Sequence, residues 1–132
     1  MENTEKITLG WAELLTFLGL PKATYGIETA LAMKQLDLSY NQISVLPESI
    51  GLLVNLEYLD CSWNKLTALP DSICLLVNLV ELDCSCNKLT ALPESLGNLT
   101  NLVYLDCGDN RLSVNPKGFS KKVCVYTRGN HF

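Results

Sequence analysis

A chain of 132 residues, 48% apolar and 18% charged, has room for one domain with a buried core and is too apolar to stay disordered. Its net charge of -4 and pI near 4.9 argue against a general nucleic-acid binder, which needs a basic footprint. No run approaches the ~20 apolar residues of a membrane span, and Met1 to Lys6 lacks the character of a signal peptide. A cytoplasmic setting with reduced cysteines is therefore the expectation.

In chain order, residues 1–32 predict one or two helices that close the N-terminal end of the domain. Trp11, Leu14, Leu15, Phe17 and Leu18 supply an apolar face, and Pro21 ends the first helix. A repeat of 23 residues then takes over: MKQLDLSYNQISVLPESIGLLVN at 33–55, LEYLDCSWNKLTALPDSICLLVN at 56–78, and LVELDCSCNKLTALPESLGNLTN at 79–101. A fourth unit, 102–121, begins LVYLDCGDNRLSVNP and departs from the pattern, with Asn115 where the others have Leu before Pro. Fixed periodicity of this kind marks a solenoid, in which one coil cannot bury its apolar face alone and stacked coils share a core.

Each unit reads as one coil. The stretch L-x-x-L-x-[LC]-x-x-N holds a short parallel strand with Leu59 and Cys61, Leu82 and Cys84, and Leu105 and Cys107 pointing inward. Asn41, Asn64, Asn87 and Asn110 recur at the turn leaving the strand, where a buried amide can pair backbone groups. Pro47, Pro70 and Pro93 start the return path, and Ile50, Ile73 and Leu96 face back into the core. Residues 122–132 carry VCVYTRGN, which fits the strand and Asn turn of a fifth, capping coil at a spacing of 20 from Asn110. The whole chain, 1–132, is then a single domain.

The LDCSxNxLTxLP wording and the following LPxx[IL]xxLxN stretch resemble the leucine-rich-repeat family. They are most like its 23-residue class, found in Ras-associated scaffold proteins, plant relatives and bacterial repeat proteins. The resemblance implies an α/β solenoid shaped as a short horseshoe arc, with parallel strands on the concave face, an irregular or 3-10 convex side and a helical N-terminal cap. It also implies a protein-binding role as adaptor, inhibitor or effector, the last exported without a cleavable signal. Some bacterial effectors of the family carry a separate ubiquitin-ligase domain, and none is expected here.

Catalysis finds little support. A cysteine nucleophile needs a base, and the one histidine, His131, lies on the end cap, within reach at most of Cys86 or Cys124. Cys61, Cys84 and Cys107 form a ladder, but sulfurs stacked in a line at ~4.8 Å do not match the tetrahedral geometry of zinc. The expectation is no enzyme, no cofactor and no metal.

Binding finds more. Asp37, Asp60, Asp83 and Asp106 form an outward ladder whose neighbours repel by about 1–3 kcal/mol each, with Lys65, Lys88 and Arg111 placed to offset it. A basic partner surface would relieve that repulsion. Tyr40, Tyr58, Trp63 and Tyr104 stand beside the ladder, and Tyr and Trp are common interface anchors. Together with Asp60, Glu81, Asp83, Asp106 and Asp109 they are the candidate contact residues for an unidentified protein partner, bound by an otherwise monomeric chain. Self-association through the C-terminal strand edge and a thiol enzyme are the alternatives.

Charge is also uneven along the chain. Residues 1–110 carry -9, whereas Arg111, Lys117, Lys121, Lys122 and Arg128 give the tail +5 with no acid among them. Either a solvated polar cap or a docking patch for an acidic partner or a phosphorylated segment accounts for it.

Overall fold

The computed structural model describes residues 2–19 and 24–132, so Pro21 lies outside the described residues. Two helices, α1 (Glu2–Phe17) and α2 (Thr24–Ala32), lead into five three-residue strands. These are β1 (Gln35–Asp37), β2 (Tyr58–Asp60), β3 (Glu81–Asp83), β4 (Tyr104–Asp106) and β5 (Cys124–Tyr126). They form one parallel sheet in chain order, with Leu36, Leu59, Leu82, Leu105 and Val125 in register across it. Three 3-10 segments, η1 (Glu48–Leu52), η2 (Asp71–Leu75) and η3 (Glu94–Asn98), carry the return path. The chain is an α/β solenoid arc with strands on one side and 3-10 turns on the other.

Local chemistry explains each coil. Pro47 and Pro70 sit at φ -68° and -66° immediately before their 3-10 segments, angles the pyrrolidine ring imposes. The following Ile50, Ile73 and Leu96 are fully buried, as are Leu82 and Leu105 from the strands. Burying one such side chain contributes about 1.5–3 kcal/mol, and no single coil offers enough neighbours to bury its own. At the N-terminal end Leu14 and Leu15 of α1 enter the same core, with Trp11, Phe17 and Leu18 packed partly against it. Phe119, Val123 and Val125 do the same at the other end.

The fourth coil has no 3-10 segment; its return path is irregular from Arg111 to Ser120, which absorbs the shortened spacing. That path crosses close to η3. A Cβ on Gly97 would come within 2.6 Å of the Gly118 carbonyl oxygen, so only glycine fits there.

The asparagines hold coil to coil. Asn87 Nδ2 donates to the carbonyls of Cys61 (3.0 Å), Cys84 (3.2 Å) and Ser85 (3.0 Å), while its Oδ1 accepts from Leu66 N–H at 3.0 Å. Asn64 and Asn110 repeat the arrangement, and Asn130 continues it by donating to Cys107 and Thr127 and accepting from Leu112 N–H. Asn41 is different from the buried amide expected of it. It is exposed and among the described residues its side chain reaches only Ser39, because each asparagine reaches back one coil and none precedes the first. The inward cysteines add a weaker ladder: Sγ of Cys61, Cys84 and Cys107 donates to the carbonyls of Asp83, Asp106 and Tyr126 at 3.4, 3.3 and 3.2 Å.

Candidate functional site: the concave face

Three-residue strands fix what the concave face presents. The first residue of each strand points outward and gives the row Gln35, Tyr58, Glu81, Tyr104, Cys124; the third gives Asp37, Asp60, Asp83, Asp106, Tyr126. Tyr58, Asp60, Glu81, Asp83 and Tyr104 thus lie together, around a shallow depression of about 350 Å³.

The remaining aromatics come from the turn. Tyr40, Trp63, Cys86 and Asp109 occupy one position in successive coils, all in the left-handed region at φ 57°, 53°, 53° and 49°. Residues other than glycine pay for that conformation, and only Gly129 in the last coil has glycine there. The conformation throws the side chains outward, and Tyr40 stays 70% and Trp63 54% exposed. Their rings stack at 5.3 Å between centroids with 9° between planes. Asp109 lies at the far end of this row, 4.0 Å from the Cys86 thiol.

A second aromatic pair joins the expected Tyr104 to a residue that was not expected, Tyr126. Tyr126 packs its ring on Tyr104 at 5.2 Å and 40°, and is itself 51% exposed. Its place was readable in the sequence: it stands four residues before Asn130, as Asp106 stands four before Asn110. Under Tyr126, Tyr104 is half-buried instead of freely exposed. Its phenol donates to Asp106 Oδ2 at 3.4 Å, and burial followed by the Asp106 charge pushes its pKa up.

The aspartates have partners the spacing alone did not suggest. Oδ1 of Asp37, Asp60 and Asp83 accepts from the backbone N–H, at 2.9 Å, and the hydroxyl, at 2.6 Å, of Ser39, Ser62 and Ser85. Asp106 accepts from Gly108 N–H. These local turns leave Oδ2 for other contacts. Lys65, Lys88 and Arg111 form no ion pair with the aspartate row among the described residues. Among the described residues the one ion pair is Lys34 with Glu57, at 3.5 Å, because the cations follow the turn and stand beyond the strand. Position in the row sets the protonation balance. Asp37, at the exposed end, is lowered by its Ser39 hydrogen bonds, whereas Asp83 is raised, first by burial and then by Asp60 and Asp106 on either side.

The environments of Cys61, Cys84, Cys86 and Cys107 are the reverse of an activated nucleophile's. Burial pushes Cys61 up to about 12, Cys107 to about 11 and Cys84 well above its usual range. Cys86 is raised by burial and by the Asp109 carboxylate, which disfavours a thiolate. All six cysteines are free thiols, and among the described residues no group of three or more His, Cys, Asp or Glu is placed to hold a metal. No described helix is long and apolar enough to cross a membrane.

The comparisons with known proteins agree with this architecture. The family model for the leucine-rich repeat region matches residues 23–123. The chain belongs to the leucine-rich-repeat family. Among solved structures it is similar to a leucine-rich-repeat protein of Leptospira interrogans, with 33% identity and a TM-score of 0.62 over 75% of this chain. The chain spans 27% of that protein's length. No curated protein matches it significantly. Membership of this family supports a protein-interaction module in general terms.

Proposed function

We propose that the chain captures a partner protein across its concave strands, and that the partner presents a basic surface there. The observation that carries the reading is the Tyr40–Trp63 stack, a large exposed aromatic surface held by backbone geometry beside a continuous row of carboxylates. Little side-chain freedom is lost when such groups are covered, so their burial converts efficiently into affinity. The aspartates favour lysine or arginine opposite them, since a cation relieves the repulsion along the row. Trp63 and Tyr40 are also suited to stack against a guanidinium. Tyr58 and Tyr104 supply apolar area at the centre, and Asp60, Glu81, Asp83, Asp106 and Asp109 set orientation and encounter rate.

The test is quantitative capture from native lysate by wild type, by Trp63→Ala and by the convex variants Glu48→Ala and Glu94→Ala. One and the same partner retained by the convex variants and lost by Trp63→Ala supports the concave face. The opposite pattern places binding on the other side.

A further inference from the structure

We propose, resting on the concave-face reading above, that the partner segment seated there is a basic amphipathic α-helix lying along the solenoid axis, across β1 to β4. Successive coils repeat at the strand separation of about 4.8 Å, and an α-helix repeats each turn at about 5.4 Å. One residue per helical turn therefore falls opposite each strand. The mismatch accumulated across four strands is about 2 Å, within the reach of a flexible lysine or arginine side chain. An extended segment laid the same way turns a side chain to the face every ~6.7 Å and is out of register by the next coil. Width agrees as well. The row Tyr58, Glu81, Tyr104 and the row Asp60, Asp83, Asp106 are two residues apart along the strands, about 6.7 Å, and a helix with its side chains covers about 10–12 Å. Tyr58, Asp60, Glu81, Asp83 and Tyr104 from these rows border the depression, which Leu36 and Leu59 also line.

Charge sets the composition of that helix. The outward strand rows and the turn row of the first four coils carry Asp37, Asp60, Asp83, Asp106, Glu81 and Asp109, and no lysine or arginine. Lys65, Lys88 and Arg111 flank these rows beyond the turn, and Lys34 is paired with Glu57. A helix with one lysine or arginine per turn answers the aspartate row. Ser62 and Ser85 engage Oδ1 of Asp60 and Asp83, which leaves Oδ2 to meet the incoming cations. Acidic residues on the flank nearer the turn meet Lys65, Lys88 and Arg111, none of which is in an ion pair among the described residues. At the β1–β2 end the exposed Tyr40–Trp63 stack receives the apolar stems of the same helix. The helices of a second copy do not fit: α1 has Lys6 as its one base against Glu2, Glu5 and Glu13, and α2 has Glu28 and no base.

The test uses the full chain and three labelled peptides. The first is stapled as a helix, with lysine once per turn and glutamate on one neighbouring stripe; the second carries central prolines that break the helix; the third has glutamate for every lysine. Anisotropy is expected to show the stapled lysine peptide binding at least about tenfold more tightly than the proline peptide, and the all-acidic peptide not binding. The double change Asp60→Asn with Asp83→Asn keeps the acceptors for Ser62 and Ser85 and should weaken the stapled peptide at least about tenfold. A nitroxide on one end of the bound peptide should broaden amide signals in a gradient between β1 and β4, as a segment lying across the strands requires. Equal binding of the stapled and proline peptides, both weakened by the aspartate variant, overturns the helix and leaves the concave face standing. Equal broadening over the four strands does the same. Binding of the stapled peptide that the aspartate variant leaves unchanged overturns the placement on the aspartate row. Failure of the stapled peptide to bind overturns the helix, and the lysate capture by Trp63→Ala then decides separately whether the concave reading falls with it.

Discussion

Tyr40 and Trp63 stack in parallel because both hold the left-handed turn position of adjacent coils, with φ of 57° and 53°. A strained backbone thus places the most exposed aromatic pair of the concave face. Trp63→Ala should weaken partner binding at least about thirtyfold, equivalent to about 2 kcal/mol at an interface anchor. Its effect on folding should stay within about 1 kcal/mol, since the side chain is largely outside the core. Titration of the captured partner and urea denaturation of the same variant separate the two quantities.

The same turn position allows a gain in stability. Cys86 sits there at φ 53° with no aromatic stack to lose, so Cys86→Gly should be neutral or stabilise by about 0.5–1 kcal/mol. A loss above about 1 kcal/mol in chemical denaturation would show that the thiol makes a contact worth more than the strain it tolerates.

Asp83 acts as a turn acceptor before it acts as a charge. Asn keeps the Oδ1 that receives the Ser85 N–H and hydroxyl, whereas Ala removes it. Asp83→Asn is therefore expected within about 0.5 kcal/mol of wild type, and Asp83→Ala to cost about 1–2 kcal/mol. Equal losses in the two variants would mean that the negative charge itself has a structural partner.

The raised pKa of Asp83 predicts a direction with pH. The folded state holds this proton at a pH where the unfolded chain, with an aspartate pKa of about 3.9, has released it. Folded protein then binds more protons, so this group's contribution to stability rises as pH falls from neutral toward roughly 4. Asp37 works the other way, and its lowered pKa withdraws stability only below that range. Measured against Asp83→Asn across a pH series, wild type should become relatively more stable on mild acidification. A flat difference would contradict the assignment.

Asn87 and Asn41 share a sequence position and should differ sharply on truncation. Asn87→Ala strands Leu66 N–H and several carbonyls in the interior and should cost about 3 kcal/mol or more. Asn41→Ala loses a bond from the exposed Asn41 side chain to the Ser39 carbonyl and should cost under about 1 kcal/mol. Thermal or urea denaturation of the pair checks it, and similar losses would dismiss the one-coil-back account.

The 23-residue spacing made the strands, the return path and the inward Leu and Cys positions legible, because burial repeats with the sequence. Fold-level reading failed where side chains act locally. The serines that cap Asp37, Asp60 and Asp83 look like solvent residues in a pattern of alternation, and their hydrogen bonds depend on a turn that spacing alone does not specify. The left-handed turn was hidden for a related reason. Tyr40, Trp63, Cys86 and Asp109 are not the residues that advertise positive φ, and glycine marks the position only at Gly129. Tyr126 escaped because it follows Asp106 by 20 residues instead of 23, so a strict 23-residue count misses it, although counting back from Asn130 finds it in register with Asp106.

Each buried asparagine reaches backward, donating from Nδ2 to a carbonyl of the coil before it and accepting at Oδ1 from a backbone N–H of that coil. An in-frame duplication of residues 79–101 would therefore arrive with its asparagine bonds to the neighbouring coils already matched. The arc can lengthen in evolution by single copying events, each enlarging the strand surface without a compensating mutation.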